Sequence, residues 1–424
     1  MNINYDLARY EYDMDKCVGC KGCVWVDHIY MPGVRFGIKC PSNIDNPFDA
    51  YAYVGRAKIG LALLEGKIDY TDTLLDVIYK CNLCGACDVG CKRNLDLEPL
   101  SVLESLRAKC VAEGKGPLPE HKKVAANIEK NRNRFGSPHK NRLKWLPESA
   151  ASSGAEMVYF PGCAASYIDN DIANATIEIL QAGGQKFNVL GDKDRCCGHP
   201  LVEMGMIDQA KSVAKANIKA LKEMGGKTIV TACAECYKTW KVDYPKLLEK
   251  STVDMDYEVI HLAELVNDLL EQGKISFKKN VDMRVTWHDP CHLGRLSEPW
   301  THWEGNRKKY GILDTPKEYR RGTNGVYQAP RNILDKIPGL EVVEMPRMKE
   351  NTLCCGAGGG AREAFSDYAR RTGRERIEEA RSISVEAIVS ACPYCKENFN
   401  KAGESPDMGM KAFDLSEIVL MSLK

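Results

Sequence analysis

The run Thr228-Ile229-Val230-Thr231-Ala232-Cys233, with Cys236 behind it, returns near the end of the chain as Ala387-Ile388-Val389-Ser390-Ala391-Cys392 with Cys395 behind it. Each run is short, apolar and rich in β-branched residues, so each reads as a buried strand that delivers a C-x2-C pair at its end. Working outward, Arg195-Cys196-Cys197-Gly198 precedes the first run and Leu353-Cys354-Cys355-Gly356 the second, at gaps of 35 and 36 residues. Farther upstream, Met157-Val158-Tyr159-Phe160 leads to Cys163, and Arg284-Val285-Thr286-Trp287 leads to Cys291. Downstream, His261-Leu262-Ala263-Glu264-Leu265-Val266 parallels Asp414-Leu415-Ser416-Glu417-Ile418-Val419. Four landmarks in the same order make an internal duplication. Helical patterns fill the spaces, at Ile172 to Leu180 and at Met206 to Met224, the latter closed by Gly225-Gly226. This strand–helix–strand rhythm predicts α/β halves with mostly parallel strands. The cysteines then lie just past the strand ends, the edge of an open α/β sheet where cofactors collect.

The chain has 424 residues and 19 cysteines, a net charge of +1 and 28% charged residues. Near-balanced charge gives no global field for nucleic acid or membrane. No apolar run is long enough to span a bilayer, and Met1 to Asp6 lacks the basic flank and apolar stretch of a signal peptide. The expectation is a cytoplasmic protein with no direct membrane insertion. In a reducing compartment, cysteines at tight local spacings serve as metal ligands more often than as disulfides. Cys110 alone falls outside such spacings and reads as an inert thiol.

Eight cysteines lie in the first part of the chain, around a helical-looking stretch from Ala50 to Glu65. Cys17-x2-Cys20-x2-Cys23 and Cys81-x2-Cys84-x2-Cys87-x3-Cys91 are spacings that wrap four-iron cubes, and in two-cluster ferredoxins the fourth cysteine of a run ligates the other cluster. Cys91 then completes the first cluster, and Cys40, followed by Pro41, the second. Sixteen residues separate Cys23 from Cys40, where three are usual. Two zinc sites are the competing reading, since zinc also takes four thiolates.

Each repeat offers five thiolates: Cys163, Cys196, Cys197, Cys233 and Cys236, then Cys291, Cys354, Cys355, Cys392 and Cys395. A cube needs only four terminal thiolates, so a fifth would bridge two irons and distort the cluster. So much negative charge calls for backbone N–H groups close to sulfur. Gly198 and the run Gly356-Ala357-Gly358-Gly359-Gly360 permit that approach and are the expected cofactor-binding glycines.

These features resemble the cysteine-rich CCG domain, and the whole chain resembles the D subunit of heterodisulfide reductase. The resemblance implies an α+β ferredoxin-like, helical N-terminal domain followed by two duplicated α/β CCG domains with mostly parallel sheets. It divides the chain at 1–115, a basic linker at 116–155, and CCG domains at 156–280 and 281–424. It implies two cubane [4Fe-4S] clusters and two non-cubane [4Fe-4S] clusters, with both five-cysteine sets catalytic in splitting a small-molecule disulfide. Relatives such as the iron–sulfur subunits of glycolate and glycerol-3-phosphate dehydrogenases share the layout without that reaction, so a pure electron relay and a subunit of a 2-hydroxy acid dehydrogenase stand as alternatives. The interval holding Trp25-Val26-Asp27-His28 and Val34-Arg35-Phe36-Gly37 resembles the D subunit of class II benzoyl-CoA reductase complexes, which implies a flavin-containing, heterodisulfide reductase A-like partner and other oxidoreductase subunits. No flavin or nucleotide fingerprint occurs in the chain itself.

Three features keep two readings each. His199, His288 and His292 either donate hydrogen bonds or protons at the sulfurs, or are satisfied residues without chemistry. The basic segment His121 to Trp145, with its Phe135-Gly136-Ser137-Pro138 turn, is a solvated linker or a strip for an acidic partner. Between Cys291 and Cys354 lie 62 residues, against 32 between Cys163 and Cys196. That insert, with Trp300, Trp303, Tyr310, Tyr319 and Tyr327, is a cover over a cluster or a substrate lid.

Overall fold

The structure, a computed structural model, describes residues 2–26, 33–147, 149–251, 254–299, 303–404 and 408–423. Asp27, His28 and Trp300 lie outside the described residues.

Strands β1 (Met157–Tyr159), β2 (Thr228–Thr231) and β3 (Glu258–His261) form an all-parallel sheet in that order. Strands β4 (Met283–Trp287), β5 (Leu340–Val342), β6 (Ala387–Ser390) and β7 (Lys411–Asp414) form a second, all-parallel sheet in the order β5-β4-β6-β7. The run β4-β6-β7 repeats β1-β2-β3, and a single parallel bridge from Val158 to Asn188 stands where β5 stands in the second half. The duplication is therefore one of topology as well as of motifs. β6 is buried at all four residues, which is why Ala387 to Val389 run apolar rather than alternating and the buried Ser390 hydroxyl donates to the His288 carbonyl.

The two halves interlock. The last helix of the chain, Leu415–Leu423, packs on Asn170–Ala182 of the first half, and Leu262–Glu271 packs on Gln328–Asp335 of the second. Both exchanged helices start in the same way. Glu264 accepts the His261 N–H while His261 Nδ1 accepts the Ala263 N–H, and Glu417 accepts the Asp414 N–H while Asp414 accepts the Ser416 N–H. These reciprocal caps explain why the two tails look alike in sequence.

The N-terminal module is helical, with Tyr53–Leu64, Asp72–Tyr79, Ala86–Asn94 and Pro99–Ala112 as its main elements. Among the described residues its β pairing is one antiparallel bridge, Trp25 to Ile38. Helix Pro99–Ala112 is buried on nearly every side, and its Arg107 fastens the module to both halves. The guanidinium donates to the carbonyls of Tyr79, Cys81, Glu203 and Gly359 at 2.6–2.9 Å. Cys110 on the same helix is buried, and burial raises its thiol to about 12, as suits an inert group.

The basic segment His121 to Trp145 is not a solvated linker. Helix Pro119–Asn131 buries His121, Val124, Ala125 and Ile128, and Arg134 and Arg142 beyond it are buried too. Its basic residues look solvent-facing in sequence, but the arginines reach inward to carboxylates and to sulfur. The described part of the insert brings His292 and Arg295 to the second five-cysteine set and packs Leu296 against Gly85 of the N-terminal module. It lies along the N-terminal module, through Arg307–Asp96 at 2.6 Å, Lys317–Glu98 at 3.0 Å and Arg320–Asp88 at 3.2 Å. Tyr310 points to solvent, while Tyr327 is buried and donates to the Gly322 carbonyl.

Candidate metal centres

In the N-terminal module, Cys40, Cys81, Cys84 and Cys87 line one cavity together with Tyr53 and Arg56. Cys40 reaches this cavity because it precedes the short helix Pro41–Asp45, and Arg56 clamps that region by donating to Ser42 Oγ, the Tyr51 carbonyl and the Lys80 carbonyl. Cys17, Cys20, Cys23 and Cys91 form the other group, with Cys17 and Cys20 within electrostatic reach of both Cys23 and Cys91. The close approach of the two loops requires Gly90, where a Cβ would overlap the Gly22 carbonyl. Cys20 is exposed, so this group lies at the surface, with Val18, Trp25 and Phe48 also exposed.

In each half, three backbone features bring five sulfurs together. Cys163 follows β1 and Cys291 follows β4; Cys233 and Cys392 each sit at the N-terminal end of a helix that starts after β2 and β6. The double cysteines enter from a loop closed by Gly198 at φ +88° and Gly356 at φ +98°, which only glycine adopts freely. Both glycines donate their N–H to the first sulfur of the pair, Cys196 and Cys354, at 3.4 Å. Sulfurs approach at 3.6 Å between Cys236 and Cys197, and at 3.1 Å between Cys395 and Cys355. Hydrogen bonds from Cys196 and Cys236 pull the Cys197 thiol down to about 5; those from Cys354 and Cys395, with His288, pull Cys355 well below its usual range. All ten cysteines are buried. Buried sulfur with N–H and guanidinium donors aimed at it is a donor set for iron–sulfur chemistry, and the residues present fit such clusters.

Two arginines complete the sites. Arg142 donates to Cys163 Sγ at 3.8 Å, and Arg295 donates to Cys291 Sγ at 3.1 Å. Sequence reading missed both. Arg295 lies four residues after a cysteine, but not on a helix, and Arg142 is one cation among many in its segment.

The histidines divide in role. His288 lies with Cys355 and Cys395, their ligand atoms all within 4.8 Å of one another. His199 and His292, one from each half, meet at 4.5 Å between ring centroids, with Glu203 at 3.3 Å from His199 and 3.8 Å from His292. Burial opposes charge on His199, but Glu203 and Asp243 outweigh it and raise the imidazole to about 10; burial and the charge of His199 push His292 down to about 4. The neutral His292 lines a cavity with the second five-cysteine set, Asn82, Cys84, Glu235 and Tyr394.

Contacts between sets order them in space. Cys23 of the surface group lies within electrostatic reach of Cys40 and Cys87 of the second, Cys84 contacts Cys291 and Cys354, and Cys392 contacts Cys233. The sequence of sites is surface group, second N-terminal group, second half, first half.

The family model described as a cysteine-rich domain matches residues 157–241 and 317–400, and that described as a 4Fe-4S dicluster domain matches 13–95. The second cysteine-rich match begins beyond Cys291, which the fold nonetheless brings to its four partners. The D subunit of dihydromethanophenazine:CoB--CoM heterodisulfide reductase from Methanosarcina mazei is 32% identical over 418 residues, covering 97% of this chain and 94% of that protein. The B subunit of the CoM/CoB fumarate reductase from Methanothermobacter marburgensis is 31% identical over 81% of this chain and 61% of its own length. EtfAB:quinone oxidoreductase of Syntrophomonas wolfei is 26% identical over 97% of this chain and 58% of its own. A solved structure of a hypothetical protein from Helicobacter pylori matches with a TM-score of 0.50 at 12% identity, over 88% of this chain and 68% of its own, and shares the fold.

Proposed function

From the premise that the chain belongs to the family of heterodisulfide reductase D subunits, we propose that it carries electrons from its surface cysteine group to a disulfide held beside the two CCG sets. It is an iron–sulfur electron-transfer subunit of an oxidoreductase, with two cubane and two non-cubane [4Fe-4S] clusters. Bound in place, such clusters each store and pass one electron. Cys17, Cys20, Cys23 and Cys91 hold the first cubane and Cys40, Cys81, Cys84 and Cys87 the second; the two five-cysteine sets hold the others, with Gly198 and Gly356 supplying N–H groups.

The observation that carries this reading is the contact of Cys84 with Cys291 and Cys354 on one side and of Cys392 with Cys233 on the other. It makes one continuous line of sulfur from solvent to the junction of the halves. The overall reaction consumes two electrons and two protons, R–S–S–R′ giving R–SH and R′–SH. Glu235, His292 and Tyr394 line the cavity at that junction, where they orient what enters it and keep bulk water out. Electrons enter at exposed Cys20, where a flavin-containing partner protein docks in the cytoplasm. No described helix is long and apolar enough to cross a membrane.

One observation favours the relay instead: every residue lining that cavity is buried. The deciding experiment supplies the anaerobic protein with a reduced one-electron dye and a mixed disulfide of two thiols. Two thiols released per two electrons support disulfide reduction. Dye oxidation that requires a partner protein, with no thiol released, supports the relay.

A further inference from the structure

The two five-cysteine sets share a backbone plan, but they are not charged alike. At the first set, buried Arg142 lies 3.8 Å from Cys163 Sγ and is paired with buried Asp194 at 2.8 and 3.1 Å. The pair is close to neutral as the sulfur sees it. Arg134, whose backbone N–H faces Cys163, spends its guanidinium on Glu235 at 3.1 Å and Glu363 at 2.7 Å.

At the second set, buried Arg295 donates to Cys291 Sγ at 3.1 Å and otherwise only to carbonyls: Cys84 at 2.6 Å, Thr352 at 2.6 Å and Glu350 at 2.9 Å. Among the described residues, no carboxylate lies within ion-pair distance of it. The halves differ at a second point. Phe160 and His288 occupy equivalent places, each donating its N–H to the neighbouring strand, at Val230 and Val389. The first half thus offers a phenyl ring where the second offers an imidazole beside Cys355. Behind His288, Arg376 is matched by Glu379. His199, Glu203 and His292 lie between the sets, with the His199 backbone N–H facing Cys197 of the first and His292 lining the cavity of the second.

We propose that Arg295 sets the order of reduction, by making the second CCG set the higher-potential of the two and so the resting place of the first electron passed on from the Cys84 cluster. This rests on the reading that both sets hold clusters. A reduced cluster carries one more negative charge, and a permanently protonated guanidinium in a low-dielectric site stabilises that charge. A guanidinium already paired with a carboxylate does so far less. Arg295 also grips the Cys84 carbonyl, so the same residue fixes the junction across which the electron moves.

The test is a redox titration of the full-length, anaerobically purified protein, followed by low-temperature electron paramagnetic resonance, with iron content measured in parallel. Arg295→Gln should lower one midpoint so that the reduced-to-oxidised ratio at fixed potential falls about tenfold, which is about 59 mV for a one-electron couple. Arg295→Lys should retain most of the wild-type value. Asp194→Asn, which frees the charge of Arg142, should raise the other midpoint. Arg295→Gln with wild-type iron and unmoved midpoints would overturn the proposal. Should that variant fail to assemble, an unmoved midpoint in Asp194→Asn overturns it equally. Wild-type protein with about half the expected iron would instead contradict the proposed function itself.

Discussion

Gly356 follows the Cys354-Cys355 pair at φ +98°, and a Cβ there would sit 2.5 Å from the Ala369 carbonyl and 2.9 Å from Thr372 Cβ. Left-handed backbone costs a residue with a Cβ about 1–2 kcal/mol, and here the clash is with a helix backbone that cannot move aside. Gly356→Ala is therefore expected to empty the second five-cysteine set, read as loss of about a quarter of the iron. Gly198→Ala meets one side chain, Val213, with Cγ1 at 3.1 Å and Cβ at 3.4 Å and no backbone, so it should retain more iron. Cys110→Ala should leave iron content unchanged and cost about 1–2 kcal/mol in a denaturant titration, as the loss of a small buried side chain. At this scale the sequence spoke clearly wherever ligands recur at short spacing, as fifteen of the cysteines do, while Cys40, Cys163 and Cys291 were placed by the repeat and the resemblance. It was silent on Arg142, which reaches Cys163 across 21 residues of chain, because long-range contacts leave no local period.

The element that differs most from its sequence reading is the segment from Pro119 to Arg142. Its helix lies beside the CCG loops, where the Arg132 carbonyl accepts the Cys196 N–H at 2.7 Å and His121 Nε2 meets the Gly360 carbonyl at 3.0 Å. Lysines and asparagines on its outer face hide an inner face of Val124, Ala125 and Ile128, so composition gave a linker and periodicity was masked. Arg134 joins Glu235 of the first half to Glu363 of the second. Arg134→Met leaves buried Glu235 without its arginine and half-buried Glu363 with Arg362 alone, and should destabilise the protein by about 3 kcal/mol at neutral pH. Burial opposes ionisation of Glu363, but Arg134 and Arg362 outweigh it and hold its carboxyl at about 2, below the usual value of 4.5. A depressed carboxyl contributes stability that is present above the unfolded value and lost as pH falls through the folded one. The wild type should accordingly lose part of its stability between about pH 4.5 and pH 2, and Arg134→Met should show a weaker dependence across that window.

At the scale of the molecule, the duplication was readable because motifs, gaps and helix caps recur together. The exchange of terminal helices was not, since a tail such as Leu415–Leu423 looks the same whether it packs on its own half or on the other. Its placement on Asn170–Ala182 has a consequence for stability. Removing residues 415–424 should expose the apolar face of the first half and cost iron at both five-cysteine sets, not at the second alone; iron loss confined to about a quarter of the total would show that the halves fold independently. The contacts that string four cysteine groups from exposed Cys20 to the junction of the halves form the centre of the account. Iron, acid-labile sulfide and zinc content of the protein purified without air tests it most directly. About 16 irons with matching sulfide and no stoichiometric zinc is the predicted result. About 8 irons with one or two zincs would contradict it, leaving the CCG halves as structural metal domains and the line of electron carriers ending at Cys84.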